Sequence, residues 1–281
     1  MSTEILSGRE LATHLRAEAA ARAAELSASG RPPRLAVVTA TADESSAWYV
    51  RSIAKAAEKT GLACDVHDLG PEAAPAAIRA RLEQLSADDT VHGIILQTPL
   101  PSGAALEDLA SAIAFEKDVD GANPLSLGRL ASGLPAFAPA TAEAVVVLLE
   151  HHRVPLAGRR VAVVGRSTVV GKPAALLLLD RHATVTVCHS RTTDLAAVTA
   201  EADVLVAAVG RAGLITAAHV KEGAVVIDVG TNPTADGGLT GDVDAASVDG
   251  RAGALTPVPG GVGPVTTALL LRHTVQAAER D

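Results

Sequence analysis

The chain has 281 residues, a formal net charge of −8 and no run of five or more Lys and Arg, which argues against nucleic acid or an anionic membrane as a partner. Hydrophobic residues make up 48% of it but aromatic ones only 1%, so the core has to be built from Val, Leu, Ile and Ala, which favours buried parallel strands under helices over an aromatic-rich sandwich. Cys64 and Cys188 are too far apart to read as metal ligands or a redox pair, so no metal is expected, and the lack of an apolar signal core or a membrane-length apolar run points to a cytoplasmic protein.

In chain order, LAVVTA (35–40) reads as a strand before a helix over about 46–60, and CDVHDL (64–69) as a strand before a helix over about 72–86. GIILQ (93–97) then ends in TPLPSG, whose prolines stop any regular element. This is a βαβαβ pattern. A second series opens with a helix at about 141–151 and continues through the strands RVAVVG (160–165), TVTVCH (184–189), VLVAAV (204–209) and VVIDVG (225–230), with helical segments between them. Strands alternating with helices predict a parallel, doubly wound sheet. The Pro/Gly-rich loop TPVPGGVGPVT leads into a last helix that reaches about 279. The fold class is therefore α/β with two α/β domains, the second of Rossmann type and the final helix returning to the first.

RRVAVVGRSTVVGKPAALLLL carries the most local information. A buried strand runs to Gly165, a small polar turn follows, and Gly171 opens a helix whose first turn holds Pro173, where a missing N–H costs nothing. Such a strand–turn–helix offers backbone N–H groups to a pyrophosphate, although the spacing is not G-x-G-x-x-G and a tight turn with no ligand is the alternative reading of the bare pattern. About 20 residues on, folds that prefer NAD place an acid against the ribose hydroxyl. Here the strand ends Cys188-His189-Ser190-Arg191, and Ser190, Arg191 and Arg166 suit a 2′-phosphate instead. NADP is the expected cofactor.

GRSTVVGKP, ATVTVCHSRT, VVIDVGTN, GDVD and TPVPGGVGPVT occur in this order, after ILSGRELA, Ser46, Tyr49-Val50, ILQTPLP and KDVDGANPLSLGRL. Together they resemble the methylenetetrahydrofolate dehydrogenase/cyclohydrolase family over nearly the whole chain. The resemblance implies a folate-binding domain (1–138 plus 264–281), an NADP domain (139–263), homodimers, and tetrahydrofolate derivatives as ligands. It also implies oxidation of 5,10-methylene-tetrahydrofolate to the methenyl cation and, in bifunctional members, hydrolysis of that cation to 10-formyl-tetrahydrofolate. Position by position, it places Tyr49 by the folate ring, Gln97 near the reacting carbon and Asp120 on the pterin edge, whose adjacent N–H donors a carboxylate accepts well. Gly165, Arg166 and Ser167 would cradle the dinucleotide, Ser190 would lie near its 2′-phosphate and Thr231 near the nicotinamide. Pro259, Gly260 and Gly261 would close the folate pocket.

One position departs from the pattern in a way that bears on chemistry. The family reads Y-V-x-x-K, with the hydrolytic step credited to the lysine, whereas this chain reads Tyr49-Val50-Arg51-Ser52-Ile53. Isoleucine has no proton to exchange. Lys55 is two residues further, roughly 200° around a helix, and is expected to point away from Tyr49. Hydride transfer asks less of this position, because the protein mainly aligns two bound molecules. The residues thus predict a dehydrogenase with weak or absent cyclohydrolase activity. Two further readings remain open: a bifunctional enzyme despite the missing lysine, or an NADP-dependent paralogue acting on a modified folate or other one-carbon adduct. The second is prompted by departures at Thr41, His92, Thr98 and Ala140, with His92 expected on the surface or in a loop. A binder without catalysis is a fourth, disfavoured by the intact cofactor loop.

Overall fold

The computed structural model describes residues 2–280. In chain order the elements are β1 (Glu4–Ile5), α1 (Arg9–Ala28), β2 (Arg34–Thr39), α2 (Glu44–Lys59), β3 (Ala63–Asp68), α3 (Pro75–Ser86), β4 (Gly93–Leu96), α4 (Leu106–Ala110), α5 (Pro124–Ala131) and α6 (Ala140–His151). They continue with β5 (Arg160–Val164), α7 (Gly171–Asp180), β6 (Thr184–Cys188), α8 (Leu195–Thr199), β7 (Val204–Ala207), β8 (Val225–Asp228), β9 (Asn232–Pro233), β10 (Leu239–Thr240), α9 (Ala245–Val248), β11 (Ala254–Leu255) and α10 (Val262–Ala278). Among the described residues no helix is long and apolar enough to cross a membrane.

The chain divides into two compact units. One, residues 13–140 with 267–280, holds a three-stranded parallel sheet in the order β3-β2-β4. Ala36, Val38, Ile94 and Leu96 point to one side of it, where Ile78, Leu82 and Leu85 of α3 cover them. Leu35, Val37 and Ile95, on the opposite side, are also buried. Burial on both faces explains why these strands read as continuous apolar runs. Helix α2 begins where the Asp43 carboxylate accepts the Ser46 N–H at 2.7 Å, and its buried residues Ser46, Val50, Ile53 and Ala57 recur at helical spacing on one face. Gly93 of β4 leaves room for Thr274 of α10, whose Oγ1 would lie 2.7 Å from any Cβ built there.

The other unit, residues 2–12 with 141–266, carries a six-stranded, all-parallel sheet in the order β1-β11-β8-β7-β5-β6. Chain order reverses at β5, with β6 on one side and β7 on the other, and α7 packs on β5 and β6. This reversal point is where open α/β sheets bind ligands, just beyond the strand ends. Strands β1 and β11, two residues each, were not expected from the sequence. Glu4 and Ile5 pair with Ala254 and Leu255, so the N-terminal segment extends the six-stranded sheet.

Candidate active site

Tyr49 projects from α2, half-buried, with its hydroxyl hydrogen-bonded to Thr267 of α10. Burial and the nearby Asp120 carboxylate push the phenol well above its ordinary pKa, so at neutral pH it is an uncharged hydrogen-bonding group and not a phenolate base. Asp120 lies in the turn closed by the Gly121 N–H on the Asp118 carbonyl at 3.1 Å and accepts the Ala140 N–H; burial and the neighbouring Asp118 raise it to about 7, against His273 and that hydrogen bond, which lower it. Asp118 has a different task. Its carboxylate takes the Ala122 and Asn123 N–H groups at 2.9 Å and the Ser126 hydroxyl at 2.6 Å, which fixes the turn to the start of α5.

Gln97 follows β4 directly. Its backbone N–H reaches the Val38 carbonyl at 2.9 Å, and its Nε2 donates to the Thr98 carbonyl at 2.7 Å. The same carbonyl accepts the Ser46 hydroxyl at 2.9 Å, so Ser46 ties the Tyr49 helix to the Gln97 loop. Ser46 had entered only as part of a motif, and this bond is its physical role. Ile53 is 0% exposed on the stripe of α2 described above, and Lys55 lies on the exposed side. His92 is not a surface residue. It is a buried loop residue whose Nδ1 accepts the Arg34 N–H at 3.1 Å and whose own N–H reaches the Arg34 carbonyl, because it continues the register of β4 against β2.

In the six-stranded unit, Gly165 leaves β5 at φ 126°, where a Cβ would overlap the Ala208 carbonyl beyond β7. A Cβ on Gly171 would likewise overlap the Gly165 backbone, so both glycines let α7 begin hard against the strand end. Ser167 completes the turn: its hydroxyl accepts the Val170 and Gly171 N–H groups at 3.2 and 3.3 Å. Those amides, read from the sequence as open to an anion, are thus weakly held by the chain itself, and a phosphate would compete with the Ser167 hydroxyl for them. Arg166 is exposed beside them. Ser190 and Arg191, also exposed, form the tip of a turn after β6 in which His189 N–H donates to Thr192 Oγ1 at 2.8 Å and Arg191 N–H donates to His189 Nδ1 at 3.1 Å.

Two carboxylates behind this unit's loops escaped the sequence reading as residues. Asp242 accepts the N–H groups of Val209, Gly210 and Arg211 at 2.7 to 3.0 Å and the Asn232 amide at 2.9 Å, and so holds the loops after β7 and β8. Asp228 accepts the N–H groups of Gly230, Asp242 and Val243 at 2.9 to 3.0 Å, while burial raises its pKa to about 6. Thr231 stands exposed one residue past Gly230 on this braced loop. The available signal was an aspartate at a strand end followed by a second in GDVD. In the Pro259-Gly260-Gly261 loop, the Gly260 carbonyl accepts the Gly8 N–H at 2.9 Å, and a Cβ on Gly8 would overlap the Gly261 carbonyl, which accounts for the glycine in the N-terminal SGREL stretch.

Two family models match the chain: tetrahydrofolate dehydrogenase/cyclohydrolase, catalytic domain, over residues 6–120, and its NAD(P)-binding domain over residues 139–281. Bifunctional protein FolD 1 of Saccharopolyspora erythraea is 70% identical over 280 residues, which is 100% of this chain and 96% of that protein. The bifunctional methylenetetrahydrofolate dehydrogenase/cyclohydrolase FolD of Campylobacter jejuni superposes with a TM-score of 0.95 at 38% identity, over 99% of each chain. The methylenetetrahydrofolate dehydrogenase-cyclohydrolase of Trypanosoma brucei, solved with NADP and an inhibitor, gives a TM-score of 0.94 at 36% identity over 100% of this chain and 98% of its own.

Proposed function

The chain belongs to the tetrahydrofolate dehydrogenase/cyclohydrolase family, and on that premise we propose that it oxidises 5,10-methylene-tetrahydrofolate to 5,10-methenyl-tetrahydrofolate with NADP and hydrolyses the product to 10-formyl-tetrahydrofolate. The observation that carries this reading is the match to a bifunctional relative along the entire chain. It weighs against the sequence expectation that the second activity is weak or absent.

The residues fit the roles. A dinucleotide phosphate suits the close glycine turn Gly165–Gly171 at the reversal point of the sheet, with Arg166 beside it and Ser190 and Arg191 at the next strand end for a 2′-phosphate. NADP, when bound, supplies the hydride acceptor. We assign Asp120, in its ionised form, to the N–H edge of the pterin, Tyr49 to its ring as an uncharged hydrogen-bonding group, and Gln97 to the one-carbon centre. Thr231 is assigned to the nicotinamide side and Pro259, Gly260 and Gly261 to the folate on the strength of the family pattern, as is homodimer formation, which light scattering on the eluted protein reads directly.

Ile53 favours a second reading, a dehydrogenase with little hydrolysis. Opening the methenyl bridge adds water to a carbon and releases a proton, and a fully buried isoleucine neither orients that water nor takes that proton. One set of assays separates the readings. Purified protein is given methylene-tetrahydrofolate with NADP or NAD, and separately methenyl-tetrahydrofolate alone. NADP reduction together with methenyl consumption well above buffer supports the bifunctional proposal. Reduction with hydrolysis at the buffer rate leaves only the dehydrogenase, and no reduction with either cofactor removes both.

A further inference from the structure

The C-terminal helix brings an imidazole to the back of the Asp120 turn. His273 of α10 is 2% exposed, its Nδ1 is 2.8 Å from the Val119 carbonyl oxygen, and its ring stacks on Phe137 at 4.9 Å between centroids and 29° between planes. A carbonyl only accepts, so Nδ1 carries the hydrogen. Val119 lies between Asp118 and Asp120, and the charges of both carboxylates are felt together with His273.

We propose that His273 is a positioning residue for folate binding, which holds Asp120 in place through the Val119 carbonyl and sets an imidazole behind its turn. The inference rests on the assignment of Asp120 to the pterin.

Three observations converge on this role. Asp118 is spent on Ala122, Asn123 and Ser126, so one side of the turn is pinned to α5, and the Val119 carbonyl pins its middle to α10. Asp120 is left as the carboxylate of this turn available to a ligand, with the Ala140 N–H as its backbone donor. Its pKa near 7 makes the ionised fraction sensitive to any neighbouring charge. The charged and titratable groups about it are Tyr49 from α2, Asp118 from its own turn and His273 from α10. Arg272 adjoins His273 on the same helix, and Arg280 lies over the Phe137 ring at 4.6 Å. Of these, His273 is the one that lowers the Asp120 pKa, and with isoleucine at position 53 the family's lysine does not supply positive charge on the Tyr49 helix.

The test uses the whole 281-residue chain and the dehydrogenase reaction from about pH 5.5 to about 9, a window that brackets the Asp120 pKa of about 7. His273→Asn keeps an N–H donor for Val119 and removes the ionisable ring; His273→Leu removes both. Both are expected to raise the KM for methylene-tetrahydrofolate roughly tenfold, the worth of one charge-assisted hydrogen bond, with kcat and the KM for NADP near the parent values. The acid limb of kcat/KM should move to higher pH in His273→Asn, because Asp120 loses the neighbour that lowers its pKa. A parent KM and an unmoved acid limb in His273→Asn, with the KM for NADP preserved as evidence of folding, would overturn the proposal. Asp120→Asn run alongside separates the two layers. If it leaves the KM for folate unchanged, the assignment of Asp120 itself is wrong. If it raises that KM while both His273 variants behave as the parent, only the positioning role is lost.

Discussion

Ile53 sits on the buried stripe of α2 with Ser46, Val50 and Ala57, so its side chain supports the fold whatever it does to hydrolysis. Ile53→Ala should cost about 2–5 kcal/mol in urea unfolding, as buried aliphatic truncations do. Ile53→Lys, the substitution that restores the family pattern, places an ammonium in an apolar site and depresses its pKa below the usual value of about 10.4. The unfolded chain then binds more protons between those two pKa values, so stability rises with pH across that window. The variant is therefore expected to be most destabilised near pH 6 and to recover towards pH 10, and a flat pH dependence would place the ammonium in water. Asp120 illustrates the opposite sign. Its folded pKa of about 7 lies above that of a free carboxyl, so folding carries a penalty above pH 7 that disappears as pH falls below the unfolded value. Asp120→Asn should accordingly melt at a higher temperature than the parent at pH 8 and match it near pH 4, while binding folate less well. The protein's one tryptophan, Trp48, is 58% exposed beside Tyr49, so a blue shift of its emission on adding folate, absent with NADP, would report binding at this helix.

At the scale of elements, the glycine turn and the aspartate turn depend on close backbone approaches. Gly171→Ala would force the start of α7 away from the Gly165 carbonyl, and we expect a rise in the KM for NADP of roughly tenfold or more with little change in the KM for folate. Asn123 caps α5 by accepting the Leu125 N–H at 2.8 Å and donates from its amide to the Ile113 carbonyl at 2.7 Å. Asn123→Ala should cost about 1–2 kcal/mol in denaturant unfolding and loosen the segment that anchors Asp118. The longer strands were legible in the sequence because β-branched residues cluster in runs bounded by Gly and Pro. Helix α1 was not, since its Ala-rich sequence shows no clear apolar stripe to set a period. Strands β1 and β11 were invisible for a different reason: two residues carry no pattern, and what makes them strands is their pairing with each other across most of the chain and, for β11, with β8.

For the whole molecule, two binding functions on one chain imply two independent stabilisations by ligand. At a hundredfold excess over Kd, NADP or a tetrahydrofolate should each add about 2.7 kcal/mol, visible as a rise in Tm. Protection by NADP without protection by tetrahydrofolate would instead favour a paralogue with another one-carbon substrate. Composition and strand–helix alternation determined the α/β class without help from coordinates, because an aliphatic core and parallel strands leave a local pattern. The motifs likewise singled out Tyr49, Gln97, Asp120 and the glycine turn as candidates, since each is a short string with fixed spacing. Only the tertiary structure decided that Asp228 and Asp242 brace the loops of one unit, that Ser46 joins a helix to the Gln97 loop, and that His273 stands behind Asp120. Those relations depend on groups brought together from distant parts of the chain, and the proton affinity of a carboxylate is set by what folding places around it, which no local stretch of sequence encodes.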